Sequence, residues 1–154
     1  FDIETIKENF DYYEPRTVHE SSLSPCVHNV LASKIGAKEK AYEMYLRTAR
    51  LDLDDYNNEV DEGLHITSMA GTWMSIVEGF AGVRINEKGL FLNPILPKEW
   101  NEYAFNMLYR ENPLRICVKP NSIELINKSD NSIKAHLFGK EILIESKQTI
   151  SKSC

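Results

Sequence analysis

No segment of this sequence approaches the roughly 20 consecutive apolar residues that a membrane-spanning helix requires, so no membrane partner is expected. Cysteine is scarce. Cys26, Cys117 and Cys154 are odd in number, widely spaced and without a C-x-x-C pair, a pattern of reduced thiols in a cytoplasm-like compartment rather than of a disulfide scaffold. A concentrated run of Lys and Arg is also missing: residues 1–84 hold 8 Lys+Arg against 15 Asp+Glu, and residues 85–154 hold 10 against 8. Nucleic-acid binding draws on phosphate neutralisation by clustered cations, so no such partner is expected. The opening Phe1-Asp2-Ile3-Glu4-Thr5-Ile6 has neither an initiator methionine nor the look of a secretory leader, and a piece of a longer polypeptide is expected. In that setting the single sequon, Asn127-Lys128-Ser129, is expected to be incidental.

What the chain has in quantity is apolar surface, 42% of 154 residues, enough for the core of one ordinary domain or of two small ones. Up to about Arg84 the apolar residues recur at helical spacing. Ile3, Ile6 and Phe10 suggest a helix over Asp2 to Phe10. Ser24-Pro25 reads as an N-cap with proline at the first helical position, Val27, Val30, Leu31 and Ile35 fall on one face, and Gly36 supplies the stop. Lys38 to Leu51 sets Ala41, Met44, Tyr45, Thr48 and Ala49 on one stripe, forming a tight pair with the preceding helix. An acidic loop spans Asp52 to Glu62. A third helix then carries Ile66, Met69, Ala70, Trp73, Ile76, Val77 and Phe80 as its packing stripe, with Ala70 and Gly71 thinning it at one level.

Beyond Gly82 the period becomes two. Tyr103 to Arg110, Leu114 to Lys119, Ser122 to Ile126, Ile133 to Phe138 and Glu141 to Ile144 read as strands of a small antiparallel sheet, with Asn112-Pro113, Asn127 to Asn131 and Gly139-Lys140 as turns. Gly89 to Pro97 adds an edge or crossing strand. The expectation is therefore α+β, divided into residues 1–84 and 85–154.

The chemistry concentrates where Tyr13-Glu14-Pro15-Arg16-Thr17-Val18-His19-Glu20-Ser21-Ser22-Leu23-Ser24-Pro25 gathers hydroxyls, a histidine and an arginine before a helix start. Unpaired amides and the positive end of the helix dipole make such a start an anion site. On composition alone, serines that cap the helix explain the same pattern more simply, and His65 ahead of an apolar helix reads as a structural histidine. The acidic loop is not an EF-hand: with Asp52 first, Asn57 and Gly63 stand where a glycine and a bidentate glutamate are needed. A solvated loop that caps helix ends fits it better. Adjacent Asp54 and Asp55 point in different directions, and Cys26 and His28 lie about 200° apart on a helix, so neither makes a catalytic pair or a zinc site. Trp73 with Met69 and Phe80 is assigned to packing, and the role of Arg16 stays open.

Three runs, in order, carry a resemblance: Tyr12-Tyr13-Glu14-Pro15-Arg16-Thr17 with Glu20-Ser21-Ser22-Leu23-Ser24-Pro25; Tyr45 to Asn58; and Glu62-Gly63-Leu64-His65-Ile66-Thr67-Ser68-Met69-Ala70-Gly71-Thr72-Trp73. With Leu92-Asn93-Pro94-Ile95-Leu96-Pro97 they resemble glycoside hydrolase family 65, the inverting disaccharide phosphorylases acting on maltose, trehalose, kojibiose and related α-glucosides. The resemblance implies that residues 1–84 are the last helices of an (α/α)6 barrel and 85–154 a small C-terminal antiparallel β-domain. It places Ser21, Ser22 and His65 at phosphate-binding positions, and puts the general-acid glutamate, a lysine-glutamine pair and most of the sugar groove upstream of Phe1. No catalytic residue and no metal is then expected in the chain itself, which should be inactive alone. Inorganic phosphate is the co-substrate, no cofactor is needed, and the missing N-terminal part is the chain's partner; family members are commonly dimeric. Two other readings stand beside this one: a hydrolytic relative of the acid trehalase type, and a non-catalytic chain that only packs or mediates association.

Overall fold

The computed structural model describes residues 1–56 and 58–153. Asn57 of the acidic loop and the third thiol, Cys154, lie outside the described residues. Internal contacts divide the chain into two compact units, Phe1–Phe80 and Ala81 onward.

The first unit is helical. Asp2 caps α1 (Ile3–Tyr13), its Oδ1 accepting the Thr5 N–H at 2.8 Å, and Pro15 turns the chain into a 3-10 turn over Glu14–Arg16. The Arg16 guanidinium stays local, donating to the Tyr12 carbonyl at 2.5 Å and lying over the Tyr12 ring. α2 (Ser24–Lys34) ends at Gly36, whose φ of +79° is the left-handed stop that glycine adopts freely; the Ala37 N–H reaches back to the Ala32 carbonyl at 2.9 Å. α3 (Lys38–Ala49) follows at once and buries Ala41, Met44 and Thr48, the stripe its periodicity predicts. The acidic segment contains a one-turn α4 (Leu51–Asp54) and a 3-10 turn (Val60–Glu62), and α5 (Ile66–Met74) runs on into a π-helical turn over Ser75–Phe80.

Two packing faces are not those the apolar pattern predicts. α2 buries Cys26, Asn29, Ala32 and Ser33 and leaves Val27 49% exposed; α5 and its continuation bury Ser68, Gly71, Ser75, Gly79 and Phe80 and leave Ile66 67%, Met69 46% and Trp73 51% exposed. The reason is close approach. A Cβ on Gly71 would stand 3.0 Å from the Cys26 Cβ and 3.2 Å from Thr48 Cγ2, so the backbones meet where the side chains are shortest. Polar cross-links then hold the seam: Asn29 Nδ2 donates to the Ala41 carbonyl at 2.7 Å, and the Ser68 hydroxyl to the Thr48 carbonyl at 2.6 Å. In that buried setting each bond contributes about 0.5–1.5 kcal/mol net, and loss of one partner costs more than the bond gave.

Among the described residues, the second unit is built of eight strands: β1 (Arg84–Asn86), β2 (Gly89–Leu92), β3 (Tyr103–Tyr109), β4 (Asn112–Lys119), β5 (Ser122–Asn127), β6 (Ile133–Leu137), β7 (Lys140–Ile144) and β8 (Thr149–Ser153). They form two four-stranded sheets, β1-β2-β6-β7 and β3-β4-β5-β8, rather than one, and β2 runs parallel to β6. β2 stops at Leu92, short of the two prolines. Strand alternation sends Leu90, Leu92, Ala135, Leu137 and Ile144 inward from the first sheet and Phe105, Leu114, Ile116, Val118, Ile123 and Leu125 inward from the second. Phe105, Ile116 and Leu125 are direct cross-strand neighbours, the contact that fixes register.

The β3–β4 reversal does not use Asn112-Pro113, which belong to β4. It is a two-residue turn with Arg110 at φ +47° and Glu111 at φ +66°, the doubly left-handed form that hairpin twist favours. Asn127, the sequon asparagine, is 1% exposed: its Nδ2 donates to the carbonyls of Asn131, Ile144 and Glu145, and its Oδ1 accepts from the Ser129 amide and hydroxyl. An amide so occupied is a structural bracket and has no room for a glycan.

Candidate functional site

Three short segments of the first unit meet around the start of α5. The loop before α2 brings Ser22, whose Oγ lies 2.7 Å from the Thr67 Oγ1 at the second position of α5. His65 is the residue from which α5 departs, and Asp52 of α4 holds it twice: Oδ2 accepts the His65 backbone N–H at 3.0 Å, and Oδ1 lies 2.5 Å from the ring Nδ1. The other ring nitrogen, Nε2, lies 3.4 Å from a Glu59 carboxylate oxygen. Asp55 works similarly, its Oδ1 accepting the Glu59 and Val60 amides at 2.9 and 3.1 Å. The acidic loop thus spends its carboxylates on fixing the entry to α5, while Asp54 is taken up by Arg50 at 2.6 Å.

The electrostatic result is an imidazole whose protonated form is favoured. The hydrogen bond from Asp52 raises the His65 pKa above the ordinary histidine value, with help from the charges of Asp52 and Glu59, and the same bond lowers the Asp52 carboxyl. A ring whose protonated form is favoured, a pair of hydroxyls and the positive end of a nine-residue helix dipole therefore share one corner. Of the three residues singled out from the sequence, Ser22 and His65 are brought to the same helix end. Ser21 is on the exposed loop beside them, its Oγ accepting the Leu23 N–H at 3.3 Å. The serines are not side-chain caps of α2, which begins from Leu23 with no capping side chain; Ser24 instead bonds His19.

Sequence reasoning passed over Thr67 and Asp52, and it gave little weight to His19. His19 is 8% exposed at φ +59°, with Nδ1 2.8 Å from the Ser24 hydroxyl and its ring set edge-on to His28 at 4.4 Å. Arg47 clamps the same bend by donating to the carbonyls of Val18 and His19. Burial holds the His19 pKa below the ordinary value, so this ring works as a neutral hydrogen-bonding post. It anchors the loop that carries Ser21 and Ser22. No local pattern advertises a left-handed histidine; only the clustering of His19, Ser24, His28 and Arg47 after folding reveals it.

An apolar cleft of about 340 Å³ between α1 and α2, walled by Ile6, Phe10 and Leu31, includes none of Ser21, Ser22 and His65. Among the described residues, no group of three or more His, Cys, Asp or Glu side chains is set to hold a metal ion, and no helix is long and apolar enough to cross a membrane. Cys26 and Cys117 are buried free thiols, and burial pushes both pKa values up, away from reactivity.

Comparison with known proteins supplies the frame for this corner. Residues 1–74 match the model of the glycosyl hydrolase family 65 central catalytic domain, and residues 83–144 match that of the family 65 C-terminal domain. A maltose phosphorylase of Bacillus subtilis (strain 168) is 55% identical over 118 residues, covering 77% of this chain and 16% of that protein. An alpha,alpha-trehalose phosphorylase of Thermoanaerobacter brockii is 43% identical over 145 residues, 94% of this chain and 19% of its own. A solved chain from the human microbiome assigned as a kojibiose phosphorylase superposes with a TM-score of 0.93 at 38% identity, covering 100% of this chain and 22% of that one. The chain thus spans roughly a fifth of the length of these relatives. The helical unit corresponds to the end of a helical barrel and the two-sheet unit to the β-domain that follows it.

Proposed function

Because the chain belongs to glycoside hydrolase family 65, we propose that it forms the C-terminal portion of an inverting α-glucoside phosphorylase and supplies one wall of that enzyme's phosphate site. Ser22 and His65 are the contacts, with Ser21 beside them. The observation that carries this reading is the 2.7 Å link from Ser22 to Thr67, because it seats a hydroxyl-bearing loop on the same helix end that His65 opens. An inverting enzyme separates acid and nucleophile by enough space to admit a small attacking group between protein and sugar. When that group is phosphate, the protein must hold a dianion in line with the anomeric carbon. A ring whose protonated form Asp52 favours, hydroxyl donors and the positive end of the α5 dipole suit that charge. The phosphate oxygen attacks the anomeric carbon, the glycosidic C–O bond breaks, and a glutamate from another part of the enzyme delivers the proton to the departing sugar, giving β-glucose 1-phosphate and glucose from a disaccharide such as maltose.

The exposed apolar residues of α5, Ile66, Met69 and Trp73, suit burial against the N-terminal part of the same polypeptide, which in this reading supplies the general acid and the sugar groove. The 154-residue chain alone is then inactive. Two buried free thiols support a reducing, cytoplasmic setting. The test is made on the complete enzyme, with maltose, trehalose and kojibiose each offered with phosphate and glucose 1-phosphate measured. Ser22→Ala or His65→Ala is expected to raise the KM for phosphate about tenfold or more while changing the KM for the disaccharide little, as loss of a charge-assisted bond to the dianion dictates. Release of two glucose molecules without glucose 1-phosphate identifies a hydrolase and overturns the proposal. Unchanged phosphate kinetics in both variants reduces the corner to a structural role.

A further inference from the structure

The second unit holds a recess of about 400 Å³ that the family assignment leaves without a task. Its rim is cationic. Lys88 comes from the β1–β2 turn, Arg110 from the β3–β4 turn, and Lys134 and His136 from the outward face of β6, two residues apart on the same side of the strand. Three segments distant in sequence thus deliver basic groups to one place. Glu141, paired in register with His136, is the one carboxylate residue lining it. Among the described residues, no carboxylate lies within 4.0 Å of Lys88, Arg110 or Lys134, whereas Lys119 and Lys147 of the same unit are paired with Glu124 and Asp130 at 2.8 and 3.0 Å. Glu87 and Glu111 adjoin Lys88 and Arg110 in sequence but do not line the recess, whose own lining thus sets three cations against one carboxylate.

The walls are built rather than incidental. Arg110 and Glu111 both hold the left-handed backbone of the β3–β4 hairpin turn, and neighbouring side chains enforce it. Here the enforcement is visible: Asn112 Nδ2 donates to the Arg110 carbonyl at 2.7 Å and to the Tyr109 carbonyl at 3.3 Å, and Asn131 Nδ2 donates to Asn112 Oδ1 at 3.1 Å. His136 is fixed by face-to-face stacking on Phe91, with centroids 4.3 Å apart and planes 6° from parallel. Gly89, at φ +130°, keeps the wall beside the Tyr109 hydroxyl free of a side chain. Tyr109 and Ser132 add neutral hydroxyl groups of the kind that bind a polyol.

From three cations set against one carboxylate, on a pinned turn and a stacked ring, we infer that this recess binds a phosphate dianion, free or carried on a small sugar. The inference goes beyond the phosphate-site reading above, uses different residues, and stands or falls apart from it. The test is titration of the 154-residue chain with inorganic phosphate, with a hexose phosphate and with the unphosphorylated hexose, at constant ionic strength, followed by backbone amide NMR and calorimetry. Phosphate or the hexose phosphate is expected to shift the amides of Lys88, Arg110, Ser132 and Lys134. The double variant Arg110→Gln, Lys134→Gln is expected to weaken that binding at least tenfold, because it removes two charge-assisted donors from exposed positions that do not hold the fold. Ser22→Ala with His65→Ala should leave these shifts in place. Tighter binding of the hexose phosphate than of phosphate assigns an esterified ligand, and equal binding assigns the free ion. The inference is overturned if chloride reproduces the shifts, if no shifts appear in residues 84–141, if the hexose alone binds as well as its phosphate, or if the double variant binds within twofold of the parent.

Discussion

Replacing Gly79 by alanine tests the helix seam most directly. The added Cβ would stand 2.0 Å from Asn29 Oδ1 and 3.1 Å from its Cγ, so the Asn29 side chain must move by more than an ångström. Asn29 is fully buried, and its Nδ2 bond to the Ala41 carbonyl at 2.7 Å is broken by that movement. Overpacking a tight interior costs about 1–3 kcal/mol, and a buried amide deprived of its acceptor costs about 1–3 kcal/mol more. Against this stands a gain of up to about 1 kcal/mol for alanine over glycine in a helix. The expected net loss is about 1–6 kcal/mol, read as a lower midpoint in urea at unchanged slope, with far-ultraviolet circular dichroism as the probe. Asn29→Ala destabilises too, but in the double variant the new methyl enters the space the amide vacated, so the two losses should fall short of additivity by about 1 kcal/mol or more. A Gly79→Ala loss below about 0.5 kcal/mol, or strict additivity, refutes the account of the seam.

Asn127→Ala in the second unit removes a hub whose bonds to the Ile144 carbonyl and to the Ser129 amide and hydroxyl are buried, and should cost about 2–4 kcal/mol, measured in the same way; a loss under about 1 kcal/mol means that the bracket is not structural. His19 and His65 should titrate to opposite sides of about 6.5, followed by their ring proton shifts. His65, raised by Asp52, contributes stability that is present below its unfolded value and is lost as pH rises through its folded value, and Asp52→Asn should bring its midpoint down. His19, depressed by burial, does the reverse: the unfolded chain takes up the proton first, so stability falls as pH drops below the unfolded value. Identical midpoints for the two rings contradict the assignment of one as favouring its protonated form and the other as a neutral post.

Much of this was legible in the residues. Ala41, Met44 and Thr48 show the α3 stripe, Gly36 marks its turn, and the alternation from Tyr103 onward announces strands, because each of these follows local geometry or simple periodicity. The faces of α2 and α5 were not legible. Periodicity finds the apolar side of a helix, yet here the closest neighbours meet through Gly71, Gly79, Ser68 and Asn29, which score as weak or polar. The Arg110-Glu111 turn was hidden for a related reason, since neither residue carries the usual Asn-Gly mark and the conformation is imposed by Asn112. At the candidate site Ser22 and His65 were visible as residue types in a recognisable run. Their bridge through Thr67 and the hold of Asp52 on the ring depend on segments 13 and 45 positions apart and exist only in three dimensions.

A mutational scan along α5 would therefore invert the usual map of tolerance. Along this helix and its continuation, the two residues with no side chain at all are the least replaceable, because any atom added there meets Cys26 or Asn29.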